Sequence, residues 1–473
     1  MAPKNTSGES YLHEGLPSRN NQLLEDAGVW LKEKAAADGE HTGVPPHLWC
    51  LHGKLYDLSS FIRSHPGGKM WIEDTKGSDI TAYYESHHIE TSHHVSLLRK
   101  FYVEDAPKTY SPLFSFHENG FFKTLKRRVA KILPADERGP PPEYMRWCYL
   151  SLFLWLSAFI ASGLSPSFNV ALAASVVAGI LLHTMFAIGH DFFHQRDSWW
   201  RFGVDLTAHS SYEWRISHDL SHHHHANTEI DTEVSAVEPL QYFFTSKPRN
   251  NFLVFLYCHI VWVGVGPIYL VARFLRILAG VQKFRLENTL PLFQIAALYW
   301  MRGDVGETAA LWVLMQGVAS YQLLVFSTLV HRTSYAWTEG DSYEEALGRK
   351  PNLTRGESNT HSVDVSTGEG GEDPTKCLVD FGEHVMVSTN DYAVDSSLPF
   401  SLFAFGLFNY HTLHHLFPAI DMARLRDKRV YQALLETLRE FEIPYRAFST
   451  SELFFNSFSG IWRRDYIPIS KAK

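Results

Sequence analysis

A chain of 473 residues exceeds one ordinary small domain, so at least two folding units are expected. A net charge of -8, with no dominant basic stripe, gives no case for nucleic acid as a partner. The four cysteines, Cys50, Cys148, Cys258 and Cys377, are widely spaced and form no C-x-x-C pair, which argues against a disulfide framework and against a zinc-thiolate site.

In chain order, residues 1–40 read as a flexible polar tail with one short apolar patch from Ala27 to Leu31. Its first twenty or so residues contain no apolar core segment, so no cleavable secretory signal is visible and the N-terminus is expected in the cytosol. Residues 41–107 have the character of a soluble domain. Short apolar runs, Leu48-Trp49-Cys50-Leu51 and Leu55-Tyr56-Asp57-Leu58, alternate there with turn signals and charges. Residues 108–140 form a linker with a basic amphipathic helix from Phe121 to Leu133. Lys126, Arg127, Arg128 and Lys131 interleave with Leu125, Val129 and Ile132, a pattern suited to an anionic membrane surface.

Residues 141–473 form the second unit. Apolar stretches long enough to span a bilayer fall at about 147–166, 168–188, 251–275 and 305–330. The apolar segment 288–300 is too short to span alone and reads as part of a re-entrant or tilted hairpin. Residues 338–380 form a polar insert rich in Gly, Glu, Ser and Thr, expected to be mobile. It carries the sequon Asn352-Leu-Thr, which this layout puts in the cytosol, unglycosylated. Two spans return the chain to the starting side near residue 189, and two more do so near 331. Every histidine cluster therefore faces one side.

Three such clusters stand out among the 26 histidines. His190-Asp191-Phe192-Phe193-His194 closes the second apolar stretch, and a spacing of four puts both imidazoles on one helical face, where two side chains can grip one metal. In His218-Asp219-Leu220-Ser221-His222-His223-His224-His225, His218 and His222 are expected to share a face, with His223 beside them. His411-Thr412-Leu413-His414-His415 offers positions i, i+3 and i+4. With this histidine content, one three-histidine pattern arises by chance about 0.08 times over the chain, so a single cluster is modest and the set far rarer. Neutral nitrogen ligands suit iron, zinc, copper or nickel. Zinc has no redox chemistry, and iron is the preferred reading. His224 and His225 read as neighbours of the ligands rather than ligands. His183, inside the second span, reads as a hydrogen-bonded packing residue. Asp191 and Asp219 read either as carboxylates that orient the histidines or as ordinary helix-surface groups.

The pattern H-x-x-x-H, H-x-x-x-H-H and H-x-x-H-H-L-F-P, flanked by Trp214-Arg215 and Asn409-Tyr410, resembles the three histidine boxes of membrane fatty-acid desaturases. The resemblance spans about residues 145–440. It implies two iron ions held at the cytosolic mouth of a four-span bundle by His190, His194, His218, His222, His223, His411, His414 and His415. It also offers His331 as an additional ligand, beside the plainer reading of a helix-end histidine. The third box opens with His411, where b5-fused front-end desaturases usually carry Gln.

Upstream, His65-Pro66-Gly67-Gly68 follows Tyr56-Asp57-Leu58 and precedes Gly77-Ser78-Asp79-Ile80-Thr81 and Tyr84-Glu85. Together these resemble cytochrome b5, a small α+β heme domain. The resemblance implies heme b with His65 as one axial ligand and the second some two dozen residues on. His87, His88, His93 and His94 are candidates, and His88, 23 positions after His65, fits best. Two axial histidines leave no open position, so such a heme carries electrons rather than activating oxygen. Glu73, Asp74, Asp79, Glu85 and Glu90 could steer a basic reductase or form an ordinary solvated face. The stretch from His65 to Thr81, with Trp214-Arg-Ile-Ser-His-Asp-Leu-Ser-His-His, is similar to the arthropod cytochrome b5-related proteins.

The combined expectation is a heme domain followed by an all-α, four-span desaturase bundle with a cytosolic helical cap, in the endoplasmic reticulum membrane. Electrons would come from a cytochrome b5 reductase-type flavoprotein, and the substrate would be an acyl-lipid or acyl-CoA reached from the surrounding membrane lipid. The reaction would be O2-dependent desaturation. The alternatives are a lipid or sphingoid-chain hydroxylase on the same scaffold and a non-catalytic heme-binding membrane protein.

Overall fold

The computed structural model describes residues 25–90, 92–107, 110, 112–235, 252–348, 379–463 and 466–468. Part of the expected tail is a helix, α1 (Ala27–Thr42). Asp26 caps it by accepting from Gly28 N, and Gly43 ends it with φ 71°. Its anchor is Trp30, fully buried in one core with Trp49, Ile216 and Leu220, so α1 ties the first domain to the second. Residues 1–24 lie outside the described residues.

The first domain is built on a three-stranded antiparallel sheet of β1 (Trp49–Leu51), β2 (Lys54–Tyr56) and β3 (Tyr102–Asp105), in that order. His52 and Gly53 join the first pair with φ of 51° and 67°, the doubly positive turn that matches strand twist. Helix α2 (Thr81–His87) follows the backbone bridge between Cys50 and Asp79.

Helix α3 (Phe121–Ile132) is the expected amphipathic helix, but protein rather than open surface meets its apolar face. Its apolar residues Phe121, Phe122, Leu125 and Val129 are buried in the core of the cap. Its basic side holds protein carboxylates: Lys123 and Lys126 reach Glu85, and Arg128 reaches Glu440. The periodicity identifies the helix and its apolar face, and here protein covers that face.

Among the described residues, four helices are long and apolar enough to cross a membrane, at 135–164, 168–193, 252–278 and 305–331. Within them run α4 (Pro142–Leu164), α5 (Phe168–Phe193), α6 (Phe252–Leu278) and, after α7 (Leu290–Arg302), α8 (Val305–His331). Their outer surfaces present Phe153, Ile160, Val177, Ile260 and Val271, side chains suited to a hydrocarbon surround. The short apolar segment is α7, which turns at Gly303 (φ 71°) into α8 and so forms a hairpin. Arg302 bonds to Ser165 O, bringing the tip of this hairpin to the α4–α5 turn. Helices α5 and α8 approach closely at Gly179, where a Cβ would stand 2.6 Å from Met315 O.

The polar insert is not mobile throughout. Thr338–Gly348 is folded, with helix α9 (Tyr343–Leu347) burying Tyr343, Ala346 and Leu347, and Val379–Asp380 pairs in parallel with Phe114–Ser115. Residues 349–378, including Asn352 and Cys377, lie outside the described residues. The cap is completed by α10 (Phe381–Ser388), α11 (His411–Leu416) and α12 (Lys428–Glu440).

Candidate metal centre and heme pocket

The histidines of the three boxes, with His331, arrive from four places in the chain. His190 and His194 lie at the C-terminal end of α5, and His411, His414 and His415 lie on α11. His218 and His222 lie on a π-helical turn, Arg215–His222, which His223 to His225 continue as one α-helical turn. His331 is the last residue of α8. All nine prospective ligands are buried.

They gather into two groups. His190, His194, His218, His223 and His414 form one, and His222, His331, His411 and His415 the other; ligand atoms in each lie within 4.8 Å of one another. In the first, Nε2 of His218 is 2.9 Å from that of His190 and 3.2 Å from that of His223, and His414 is 3.1 Å from His190. In the second, His331 Nε2 is 3.0 Å from His222 and 2.6 Å from His411, and His415 is 3.0 Å from His411. Donors held about 2 Å from one metal at right angles stand about 3 Å apart.

The grouping refines the helical expectation for the second box: His218 and His222 stay close, with rings 5.1 Å apart and Glu233 beside both, but they lean to different groups. A π-helical turn puts i and i+5 on one side. His218 therefore pairs with His223, while His222 turns to the other group. The third box divides too, His414 going one way and His411 with His415 the other. The first box keeps both histidines together. His331, for which two readings stood open, joins the second group.

The ring nitrogens facing away from each group are partly engaged. His222 Nδ1 donates to Asp231 Oδ2 at 2.8 Å, and His331 Nδ1 to Ser388 O at 3.1 Å. His194 Nδ1 is 3.3 Å from Asp219 Oδ1, and His218 Nδ1 is 3.3 Å from Glu233 Oε2. The carboxylate bonded to His222 fixes its tautomer and raises its basicity, while Asp219 and Glu233 stand beside His194 and His218 without a hydrogen bond to their Nδ1 atoms. Asp191 instead accepts from Met422 N and Gln195. Burial, followed by the crowding of other imidazoles, holds His223, His411, His414 and His415 well below the ordinary histidine pKa. These rings are neutral, the form in which histidine binds metal. Sequence reasoning missed Asp231, Glu233 and Asn227. The only signal was the acidic run that follows the second box. Asn227, at φ 62°, points its amide at the carbonyls of His331, Trp337 and Ser388 and so secures the end of α8.

His224 and His225 are buried but belong to neither group. His224 Nε2 meets Ser86 Oγ at 2.9 Å, and His225 sits against Trp30 and Phe114. His183 packs among Phe186, Phe326 and Phe408, but its Nε2 has no hydrogen-bond partner, so it packs without the bond expected of it. A cavity opens beside the metal groups, lined by His218, His222, His331 and His411 and by Trp262, Val265, Leu323, Leu324 and Phe408.

In the first domain, the rings of His65 and His88 face each other with centroids 6.2 Å apart. Two imidazoles that ligate one iron from opposite sides stand at about this spacing, roughly 6 Å. His65 Nδ1 donates to Gly68 O at 2.9 Å and His88 Nδ1 to Tyr84 O at 3.0 Å, which leaves both Nε2 atoms for the iron. A Cβ on Gly67 would come within 2.9 Å of the His65 ring, so glycine there leaves the imidazole room. Burial pushes His88 down to about 3. His87 points elsewhere, its Nε2 lying 3.2 Å from Asp219 Oδ2. His94 sits edge-on to His88, and the side chain of His93 lies outside the described residues.

The acidic set divides. Glu85 is buried between His52, Lys123 and Lys126 at 2.7, 2.7 and 2.5 Å, and Asp79 accepts from Tyr110 and Thr81, so neither faces an incoming partner. Glu73 and Glu90 remain exposed.

Comparison with known proteins places these features. The fatty acid desaturase family model matches residues 165–449, which hold all nine gathered imidazoles. This chain belongs to the fatty acid desaturase family. It is an oxidoreductase of that family with an added domain, since the cytochrome b5-like heme/steroid binding domain model matches residues 37–106, which contain His65 and His88. The desaturase-family chain is 29% identical over 439 residues to a cytochrome b5-related protein of Drosophila melanogaster, covering 90% of this chain and 89% of the relative. It is 22% identical to a probable Delta(5) fatty acid desaturase C of Dictyostelium discoideum, covering 81% and 84%. An acyl-lipid (8-3)-desaturase B of the same organism is 24% identical, with coverage of 84% and 86%. No solved structure matches.

Proposed function

We propose that this chain desaturates a fatty acyl chain, using O2 at a di-iron site held by the nine imidazoles, with electrons entering through a heme held by His65 and His88. The observation that carries the reading is the pair of buried all-imidazole groups opening on one cavity, whose wall joins apolar side chains to the charged Glu213, Glu233, Arg273 and Arg332. The names of the Dictyostelium relatives favour an acyl chain as substrate. Iron bound there would supply oxygen activation and cleavage of an unactivated C–H bond, which side-chain acids and bases cannot do.

The protein's own residues do the rest. Trp262, Val265, Leu323, Leu324 and Phe408 offer an apolar lining that would hold the acyl chain and exclude water. Asp231 and Ser388 hold His222 and His331 in orientation. His65 and His88 would hold a heme through their Nε2 atoms, and a heme so held would supply electron carriage. A flavoprotein reductase would reduce the heme, and the four apolar helices suit a multi-pass protein of the endoplasmic reticulum with both sites facing the cytosol.

The test is to purify the full chain in detergent, count metals and analyse products from acyl-CoA and acyl-lipid. The expected result is about two irons beyond the heme and a product short of two hydrogens. An added oxygen would make the enzyme a hydroxylase, and the absence of iron would remove the enzyme altogether.

A further inference from the structure

The two sites are joined by side chains. His87 and His88 are consecutive residues that face opposite ways. His88 turns toward His65, whereas His87 Nε2 meets Asp219 Oδ2 at 3.2 Å. The other oxygen of Asp219 lies 3.3 Å from Nδ1 of His194, in the five-histidine group. Asp219 is fully buried, so these two imidazoles flank a carboxylate shut off from water. Burial alone would raise its pKa, yet His87 and His194 hold it well below the carboxylate range.

The pose that creates this contact is built rather than incidental. Glu85, also on α2, is buried against Lys123 and Lys126 of α3. Ser86 meets His224. The guanidinium of Arg215 lies 4.9 Å over the Trp71 ring and pairs with Asp197 at 2.8 Å. Each residue of α2 from Glu85 to His87 therefore touches the second domain.

We propose that His87 and Asp219 form the electron bridge between the heme and the five-histidine iron site. This rests on the di-iron reading given above. In each transfer, ferrous heme iron gives up one electron and becomes ferric, and ferric iron in the five-histidine group takes it and becomes ferrous. A flavoprotein reductase, or dithionite in the laboratory, restores the ferrous heme. His87 and Asp219 do not change protonation in the transfer; the His87–Asp219 hydrogen bond and the 3.3 Å Asp219–His194 contact form the path. They are positioning residues, since neither touches substrate.

The test uses the full-length protein loaded with heme and iron, oxidised and without oxygen. Flash photoreduction with a flavin dye makes ferrous heme, and its decay in the Soret band follows the electron into the iron site. His87→Phe keeps the ring contacts with Trp71 and removes the bond to Asp219. The expected result is an unchanged heme spectrum and iron count with decay slowed by at least about tenfold. His87→Gln can still donate to Asp219 and should restore the parent rate. Decay of His87→Phe at the parent rate overturns the bridge, as does a His87→Gln protein as slow as the Phe variant. Loss of iron from His87→Phe alone would assign His87 to iron retention and also overturn it. A parent protein without iron would instead overturn the di-iron reading, so the two failures are told apart.

Discussion

The two histidine groups differ in what surrounds them. The five-histidine group looks toward the first domain: His194 faces Asp219, and Asp219 faces His87. The four-histidine group looks toward the cavity, since His222, His331 and His411 line it while only His218 of the larger group does so. The difference suggests a division of labour in which one group receives electrons and the other meets the chain to be oxidised. It also shows why nine ligands are drawn from four segments, for no single helix can face both the heme domain and the cavity.

The largest test of this asymmetry is His414→Ala. It should remove iron from the five-histidine group and lower product formation beyond about a hundredfold, measured by metal analysis and lipid turnover, with the heme spectrum intact. Asp231→Asn acts on the other group only. Its expected effect is a loss of iron affinity of about 10–100-fold at one site of two, so titration with chelator should strip one iron early and keep the second. Loss of both irons together would erase the distinction between the groups.

Glu85→Gln separates the domains without touching either group. Removing one partner of a buried ion pair costs about 3–5 kcal/mol, read here as a lower thermal midpoint and faster proteolysis between the domains. The acid side gives an independent check. Burial works against the Glu85 carboxylate, but the bond from His52 and the charges of Lys126 and Lys123 hold its pKa well below the usual range. The stabilisation is therefore present above the ordinary carboxylate pKa, about 4.3, and fades as pH falls below it; the Gln variant should lack this acid-dependent loss. The smallest effect belongs to Asp26→Ala. Loss of the cap on α1 should cost about 1 kcal/mol in thermal unfolding and leave both irons in place.

Motif spacing made the box histidines legible, because it reports which side chains share a turn. It could not divide them between two groups. That depends on a π-helical turn at Arg215–His222, and an α-helical reading pairs His218 with His222 instead. His331 stands alone at the end of an apolar helix, and only the fold brings it to His411. The candidate heme ligands were easier to bring together, since His65 and His88 lie within one small domain where a spacing of 23 positions favours His88 over His87. Periodicity also found α3 but not what covers it, because an apolar face looks the same whether lipid or a protein core lies against it. Trp30 was passed over for a related reason. One large side chain in a polar stretch anchors a helix only when another element supplies the pocket.

The π-helical turn has a consequence for anyone altering this enzyme. Deleting one residue between His218 and His222 would let this turn close to an α-helix, in which His218 and His223 become i and i+4 and stay on one face. His222, then at i+3, would lose the divergence that now turns it toward His331, His411 and His415. Protein engineering that keeps every histidine letter but shortens this stretch would turn H-x-x-x-H-H into H-x-x-H-H and send both later imidazoles the same way.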